Sequence, residues 1–216
     1  MRNLRLAVGV PSGSHWLADF GISLVGLMTD FMARPIPGFQ KQEARLIHTK
    51  GSILSRSRQK LVMEAQNYRA THLLFLDSDM KFLPTIARDL LKHNLPVVAA
   101  NCATKMLPST PTARQKSDKL SGLPVYTLPD SPQIEKVWRV GTGVMLIDMG
   151  VVSHIPKPYF EIKWVEELQD YQGEDWTFCE KLEAAKVPIY VDHHVSAGIG
   201  HVGELVYAHD VVEIKK

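Results

Sequence analysis

The sequence has little cysteine, no long apolar run and almost no net charge. Its two cysteines, Cys102 and Cys179, lie far apart and match no metal-binding spacing, so we expect free thiols in a reducing compartment. No apolar run reaches the roughly eighteen residues that a membrane-spanning helix needs, which excludes such a span. The formal net charge of +2 is too small to indicate nucleic acid or a membrane surface as a partner.

The N-terminal segment, MRNLRLAVGV, also lacks the apolar length of a secretory signal. Its apolar part covers only five residues, so it predicts a first strand instead. Without a predicted span or signal, we expect a cytoplasmic protein. The apolar fraction of 45% and the charged fraction of 22% are ordinary for a soluble globular protein, and the length suits one domain over residues 1–216.

Apolar patterns predict an alternation of strands and helices in the first hundred residues. The predicted strands cover 4–10, 44–49, 73–76 and 96–100, and the predicted helices cover 15–32, 55–68 and 85–93. This order predicts an α/β fold with a mostly parallel sheet and helices on both faces. Residues 102–203 are less regular: a proline-rich loop over 104–132, a helix after Gly173, a last strand over 188–191 and a glycine-rich tail over 192–203.

The segment Thr71–Phe82, THLLFLDSDMKF, holds the densest set of candidate site residues. An apolar run is typical of a strand buried on both faces, and here it ends in Asp77-Ser78-Asp79. Open α/β sheets bind ligands beyond the carboxyl ends of their strands. Two carboxylates so close disfavour each other's ionised form, and a divalent cation such as Mg²⁺ or Mn²⁺ removes the conflict. The structural alternative is a solvated turn that caps a helix.

Two further clusters offer a proton acceptor and another metal ligand. Glu174 and Asp175 begin a predicted helix, where the helix dipole favours acidic side chains even without a function. The functional interpretation is a general base that the helix positions. His201 lies among the glycines of the predicted tail, where it is either structural or a ligand that completes a metal shell.

Two other clusters suit contacts with a substrate. The tripeptide Gly141-Thr142-Gly143 precedes the apolar run Val144–Ile147, and it predicts either a turn or a close approach of the backbone to a sugar. Arg56, Arg58 and Lys60 begin a predicted helix, either as its solvated end or as partners of phosphate oxygens.

The order of these features resembles that of the GT-A glycosyltransferases, most closely the family 2-like enzymes. A first strand ends in small residues, and an arginine helix, FLDSD, Gly-Thr-Gly, Glu-Asp-Trp and a late histidine follow, over about residues 4–203. The resemblance implies a GT-A, Rossmann-like fold and transfer of a sugar from a nucleotide-sugar to an acceptor hydroxyl. It also implies a nucleotide-binding half over 1–101, a smaller mixed acceptor and catalytic half over 102–203, and a C-terminal tail over 204–216.

The resemblance further implies roles on the donor side. Asp79 would bind the metal, Mn²⁺ or Mg²⁺, with His201 and Asp77 as additional ligands, and Asp77 would also contact the ribose. The nucleotide, most simply of a UDP- or GDP-sugar, would meet residues near the ends of the first and third strands and in the arginine helix: Pro11, Ser12, Gly13, Arg58, Asp77 and Ser78.

On the acceptor side, the resemblance makes Asp175 the base, with Glu174 beside it. Transfer would then invert the anomeric centre, whereas a retaining enzyme would not use Asp175 in this way. The resemblance also implies that Gly141, Thr142 and Gly143 lie under the donor sugar. Trp176 and the segment Pro108–Pro132 are candidates for the acceptor wall, because they fall where the sequence is least regular. The acceptor itself stays open among a glycan, a protein, a lipid head group and modified nucleic acid.

The chain also departs from the family pattern, and two alternatives remain. Gln59 stands where the family has asparagine after the arginine, and the QxxRW segment of processive members is absent, which favours a single transfer. A nucleotidyltransferase of related fold would normally carry a glycine-rich basic loop where this chain has Pro11–Ser14. A non-catalytic nucleotide-sugar binding module would not need both carboxylate sites.

Overall fold

The centre of the computed structural model, which describes residues 2–203, 206–209 and 212, is a seven-stranded sheet. The strands are β1 Arg2–Ser12, β2 Phe39–Lys50, β3 His72–Leu76, β4 Met80–Lys81, β5 Val97–Ala99, β6 Arg114–Gln115, β7 Leu123–Pro124, β8 Ile134–Val137, β9 Val144–Asp148, β10 Lys163–Val165, β11 Asp170–Gln172, β12 Ile189–Asp192, β13 Gly200–Val202 and β14 Val206–Tyr207. The helices are α1 Ala18–Ala33, α2 Leu54–Asn67, α3 Ile86–Leu91, α4 Glu174–Ala184 and α5 His193–Ala197, with short 3₁₀ turns at Val151–His154 and Glu166–Leu168.

The strand order of the large sheet is β2-β1-β3-β9-β5-β12-β8. Strands β2, β1 and β3 are parallel neighbours, as are β5 and β12, while β9 and β8 run antiparallel to the strands they touch. The prediction of a mostly parallel α/β sheet is therefore confirmed. Because β9 and β12 come from the second half of the chain, both halves contribute to one sheet.

The alternation of side chains along β3 explains the helices on both faces of the sheet. Leu73 and Phe75 pack into one apolar cluster, and Leu74 and Leu76 pack into another on the opposite face. The first cluster includes buried residues of α2 and α4, namely Leu61, Val62, Ala65, Phe178 and Leu182. The second includes buried residues of α1 and α3, namely Phe20, Leu24, Leu27, Phe31, Ile86 and Leu90.

The prediction of a glycine-rich tail over 192–203 was wrong. Asp192 ends β12 and caps α5, since its Oδ1 accepts a hydrogen bond from Val195 N at 3.0 Å. Strand β13 then pairs antiparallel with β4, the strand that follows the DSD segment. Of the C-terminal tail predicted over 204–216, the structure describes only 206–209 and 212. The strand β14 lies in this part and pairs antiparallel with β13.

Cys102 and Cys179 are free thiols, as predicted, and the structure buries both. Burial raises the pKa of each thiol to about 12, so neither acts as a nucleophile near neutral pH. In the part of the chain that the structure describes, no helix has the length and apolar character needed to cross a membrane.

Candidate active site

Three parallel strands end at one edge of the sheet, and a cavity of about 250 Å³ opens there. Its lining comes from the end of β1 and from the segments that follow β1, β2 and β3, and consists of Pro11, Ser12, Gly13, Gly51, Ser52, Leu54, Asp77, Ser78 and Asp79. Five of the six predicted nucleotide contacts lie in this lining, together with the predicted metal ligand Asp79. Sequence reasoning missed Gly51, Ser52 and Leu54. The sequence feature that could have identified these three residues is their position after β2, because β2 ends at the same edge of the sheet as its parallel neighbour β1.

Arg58, the sixth predicted nucleotide contact, is a buried bridge between two carboxylates. It lies in the second turn of α2, and its side chain is 4% exposed. Arg58 Nη2 donates to Asp77 Oδ1 at 2.8 Å and Oδ2 at 2.9 Å, and Nη1 donates to Glu174 Oε1. Arg58 therefore ties the DSD segment to the first residue of α4. Its contact with a nucleotide stays a prediction.

The charge of Arg58 is stabilised by the acids around it. Burial alone would lower the pKa of the guanidinium, but Asp77, Glu174 and Asp175 together outweigh burial and raise that pKa. A buried charge of this kind needs paired partners to be tolerated. The three side chains consequently form one electrostatic unit with Arg58 at its centre.

Asp175 has the protonation behaviour expected of a general base. It is partly buried at the start of α4, and its Oδ1 accepts a hydrogen bond from Trp176 N at 2.7 Å. Burial, and next the neighbouring Glu174 carboxylate, raise the pKa of Asp175 to about 6, although Arg58 opposes the shift. A base with a pKa near the working pH transfers protons efficiently. With this pKa the Asp175 carboxyl is mostly ionised at neutral pH, and its role as the base stays a prediction.

Asp79 and His201 lie together on the other side of the DSD segment. The Oδ2 atom of Asp79 is 3.3 Å from His201 Nε2 and 2.5 Å from Lys105 Nζ. Burial by itself would raise the pKa of the Asp79 carboxyl. The hydrogen bonds from His201 and Lys105 outweigh burial and lower that pKa to about 2. The backbone reinforces the contact, because Val202 N donates to Asp79 O at 2.7 Å, while His201 Nδ1 lies 3.0 Å from Ala103 O.

The spacing of Asp79 and His201 fits two neighbouring ligands of one divalent cation. Two neighbouring ligands of an octahedral ion with bonds of about 2.1 Å lie roughly 3 Å apart, close to the observed 3.3 Å between Asp79 Oδ2 and His201 Nε2. Among the described residues no group of three or more His, Cys, Asp or Glu side chains could hold a metal. The pair of Asp79 and His201 alone would leave further coordination positions of the cation for phosphate oxygens and water, as Mg²⁺ and Mn²⁺ sites usually do.

Asp77, the third predicted ligand, faces Arg58 with both of its carboxylate oxygens. Lys105 was missed by sequence reasoning. Its signal was its position shortly after β5, a strand that runs in the same direction as β3 and ends at the same edge of the sheet.

The Gly-Thr-Gly segment runs beside the DSD segment. Gly143 O accepts a hydrogen bond from Asp77 N at 2.9 Å, and a Cβ built on Gly141 would lie 3.2 Å from the Thr112 side chain. Thr142 is buried, and its Oγ1 has no hydrogen-bond partner in the described part of the chain. Trp176 lies near Arg139, whose guanidinium carbon is 5.0 Å from the centre of the indole ring. Sugar contacts by these residues stay predictions.

Comparison with known proteins bears on the fold alone. No family model matches the sequence, and no curated protein matches it either. Among solved structures, A197 from STIV is 17% identical with a TM-score of 0.59, and the match covers 99% of this chain and 98% of that one. The catalytic domain of Drosophila β1,4-galactosyltransferase 7 in complex with xylobiose is 13% identical with a TM-score of 0.51, over 93% of this chain and 71% of that one.

A mutant of the same Drosophila enzyme, in complex with manganese, UDP-Gal and xylobiose, is 11% identical with a TM-score of 0.50, over the same shares of the two chains. The chain thus has the glycosyltransferase-like GT-A, Rossmann-like fold that its sequence predicts.

Proposed function

We propose that this protein is a metal-dependent, family 2-like glycosyltransferase that moves one sugar from a nucleotide-sugar to an acceptor hydroxyl with inversion. The observation that carries the proposal is the bridge from Arg58 to Asp77 and Glu174. Because Asp175 directly follows Glu174 at the start of α4, this bridge would keep the proposed base beside the segment that would hold the donor. The fold supports the proposal, although fold alone does not determine function.

The donor would lie in the cavity at the ends of β1, β2 and β3. There Ser12 and Gly13 would offer backbone and hydroxyl groups to the nucleotide, and Asp77, held by Arg58, would contact the ribose. The related fold of the galactosyltransferase, whose complex contains manganese and UDP-Gal, supports a UDP-sugar as the donor. We place the donor sugar against Gly141, Thr142 and Gly143.

Asp79 and His201 would hold the metal. A carboxylate with an imidazole suits Mn²⁺ better than Mg²⁺, because Mg²⁺ prefers oxygen ligands alone. When bound, the metal would neutralise charge on the departing diphosphate.

Asp175 would take the proton of the acceptor hydroxyl while the hydroxyl oxygen attacks the anomeric carbon. The bond from that carbon to the diphosphate oxygen breaks on the opposite side, so the configuration inverts. Burial, and next Glu174, keep the pKa of Asp175 raised, while Arg58 pairs with Glu174. Trp176 directly follows the base and is our candidate for the wall of the acceptor site.

The test is incubation of the protein with Mn²⁺ and a panel of UDP- and GDP-sugars, followed by detection of slow donor hydrolysis. Mn²⁺-dependent hydrolysis of one donor supports glycosyl transfer. Exchange of pyrophosphate into a nucleotide-sugar would instead indicate a nucleotidyltransferase, and binding without turnover a non-catalytic module. Once an acceptor is found, NMR of the newly formed linkage distinguishes inversion from retention.

A further inference from the structure

Lys105 stands where a cation at Asp79 would have to be. Its Nζ lies 2.5 Å from Asp79 Oδ2, the same oxygen that faces His201 Nε2 at 3.3 Å. The Lys105 side chain is 33% exposed and that of Asp79 is 31% exposed, so solvent and ligands reach the contact. An ammonium group and a divalent cation on one carboxylate oxygen repel each other strongly at this separation. Occupation of the site by metal therefore requires Lys105 to leave.

The loop that carries Lys105 has a fixed base and an exposed tip. Thr104 N donates to Thr110 O at 2.9 Å, and the buried Ser109 donates its hydroxyl to Thr104 O at 2.7 Å. The tip side chains Met106 and Leu107 are 61% and 66% exposed. Lys105 lies just beyond the fixed base, so its ammonium has freedom of movement on a flexible stem while its backbone stays beside the site.

We propose that Lys105 is a built-in cation that holds Asp79 in the metal-free protein and moves to the diphosphate of the donor when metal binds. The second half of this proposal rests on the proposed function, since it needs a nucleotide diphosphate in the cavity beside Asp79. Lysine suits the task because its ammonium is a mobile point charge with three donors, and such groups bind phosphate oxygens. Lys105 is then a metal competitor in the free protein and a substrate ligand in the loaded one.

The first arm of the test measures Mn²⁺ alone. Binding of Mn²⁺ to the nucleotide-free protein is followed by electron paramagnetic resonance of the free ion, for wild type, Lys105→Met and Lys116→Met. Lys116 is the matched control because its Nζ pairs with Glu183 at 2.6 Å and its loss changes the net charge equally. We expect Lys105→Met to bind Mn²⁺ roughly tenfold more tightly than wild type, with Lys116→Met near wild type. If Lys105→Met binds Mn²⁺ no more tightly than wild type does, the proposal that Lys105 competes with the metal for Asp79 is overturned.

The second arm measures UDP by calorimetry at saturating Mn²⁺. We expect Lys105→Met to bind UDP roughly tenfold more weakly than wild type, about the effect of one lost charge-assisted hydrogen bond, with uridine binding unchanged. If the substitution leaves UDP affinity unchanged, the proposal that the Lys105 ammonium moves to the diphosphate is overturned. If neither protein binds UDP or any other nucleotide diphosphate, the proposed function fails, while the Mn²⁺ arm still decides whether Lys105 competes with metal.

Discussion

Arg58 donates from one nitrogen to both carboxylate oxygens of Asp77, at 2.8 Å and 2.9 Å. Its other terminal nitrogen donates to Glu174, 116 positions further along the chain. The same arginine thus supports the fold and the spacing between the two acidic clusters of the site. A residue with this double task affects stability as well as activity when it is replaced.

We therefore predict that Arg58→Met destabilises the protein by about 3–5 kcal/mol, because it leaves two carboxylates without their buried partner. Urea unfolding at neutral pH measures the change. Arg56→Met is the matched control: Arg56 is exposed on the same helix, and its loss should change stability by less than about 0.5 kcal/mol. Arg58→Lys should lie between wild type and Arg58→Met, since lysine keeps the charge but loses the forked geometry. Similar stability of Arg56→Met and Arg58→Met would contradict the prediction.

Asp175→Asn should reduce turnover by roughly 10²–10⁴-fold, the usual effect of losing a general base, with little change in donor affinity. The structural reason is that asparagine keeps the shape and the contact with Trp176 N but cannot accept the acceptor's proton. Steady-state kinetics with the donor found in the panel measure both quantities, and Asp170→Asn, an exposed aspartate on β11, is the control. A collapse of donor binding would make Asp175 a ligand contact or a structural cap.

The pH dependence of wild-type turnover is a separate prediction from the raised pKa of Asp175, about 6. The base must be ionised to act, so the turnover number should be steady above that pH and fall about tenfold per pH unit below it. A rate profile from pH 4.5 to pH 8.5 measures this. A profile that stays flat down to pH 4.5 would show that Asp175 does not take the proton in the rate-limiting step.

The sheet and the DSD segment were predictable because their signals are local. The apolar run of β3 and the acids that follow it stand together in the sequence, and the carboxyl ends of parallel strands meet at one edge. The partner of Arg58 was not predictable, since the ion pair with Glu174 depends on how α2 and α4 pack on the sheet. The sequence pattern assigned this arginine to phosphate, whereas in the fold it faces carboxylates.

Two other features lay beyond the reach of sequence patterns for a different reason. Lys105 follows β5 in a proline-rich loop with no periodicity, so the sequence indicates the edge of the sheet at which it lies but not that its ammonium reaches Asp79. Helix α5 spans only His193–Ala197, too short for a helical period to appear, and it depends on the cap from Asp192. The contact of Lys105 thus depends on tertiary structure, whereas α5 is a short, locally capped helix that leaves no periodic signal.

Stability should also depend on Asp175 in a pH-dependent way. Its folded pKa, about 6, lies above the usual value of an aspartate, so the neutral carboxyl is favoured in the folded state. This contribution to stability is fully present below pH ~4 and is lost as pH rises through about 6. Asp175→Asn, which stays neutral, should exceed wild type by about 1–3 kcal/mol at pH 7.5 and by much less at pH 4. Urea unfolding at both pH values measures this, and an equal difference at the two would contradict the prediction.

The last prediction concerns the strand that carries His201. In the ligand-free protein β13 already pairs with β4, and Val202 N donates to Asp79 O, so its amides should show some protection from hydrogen exchange. If His201 binds the metal, adding Mn²⁺ and UDP creates a metal–imidazole bond, and the strand cannot open without breaking that bond. Hydrogen exchange of the amides over 200–202 should therefore slow by about tenfold or more.

The control is His201→Ala, in which Mn²⁺ with UDP should leave exchange over 200–202 nearly unchanged because the imidazole ligand is gone. A second control, His194→Ala, removes an exposed histidine from the neighbouring helix α5 and should behave as wild type. Hydrogen exchange with mass spectrometry measures all three proteins with and without Mn²⁺ and UDP. Equal protection of the wild type in both states would remove His201 from the metal site, and His201→Ala should then retain near-normal activity.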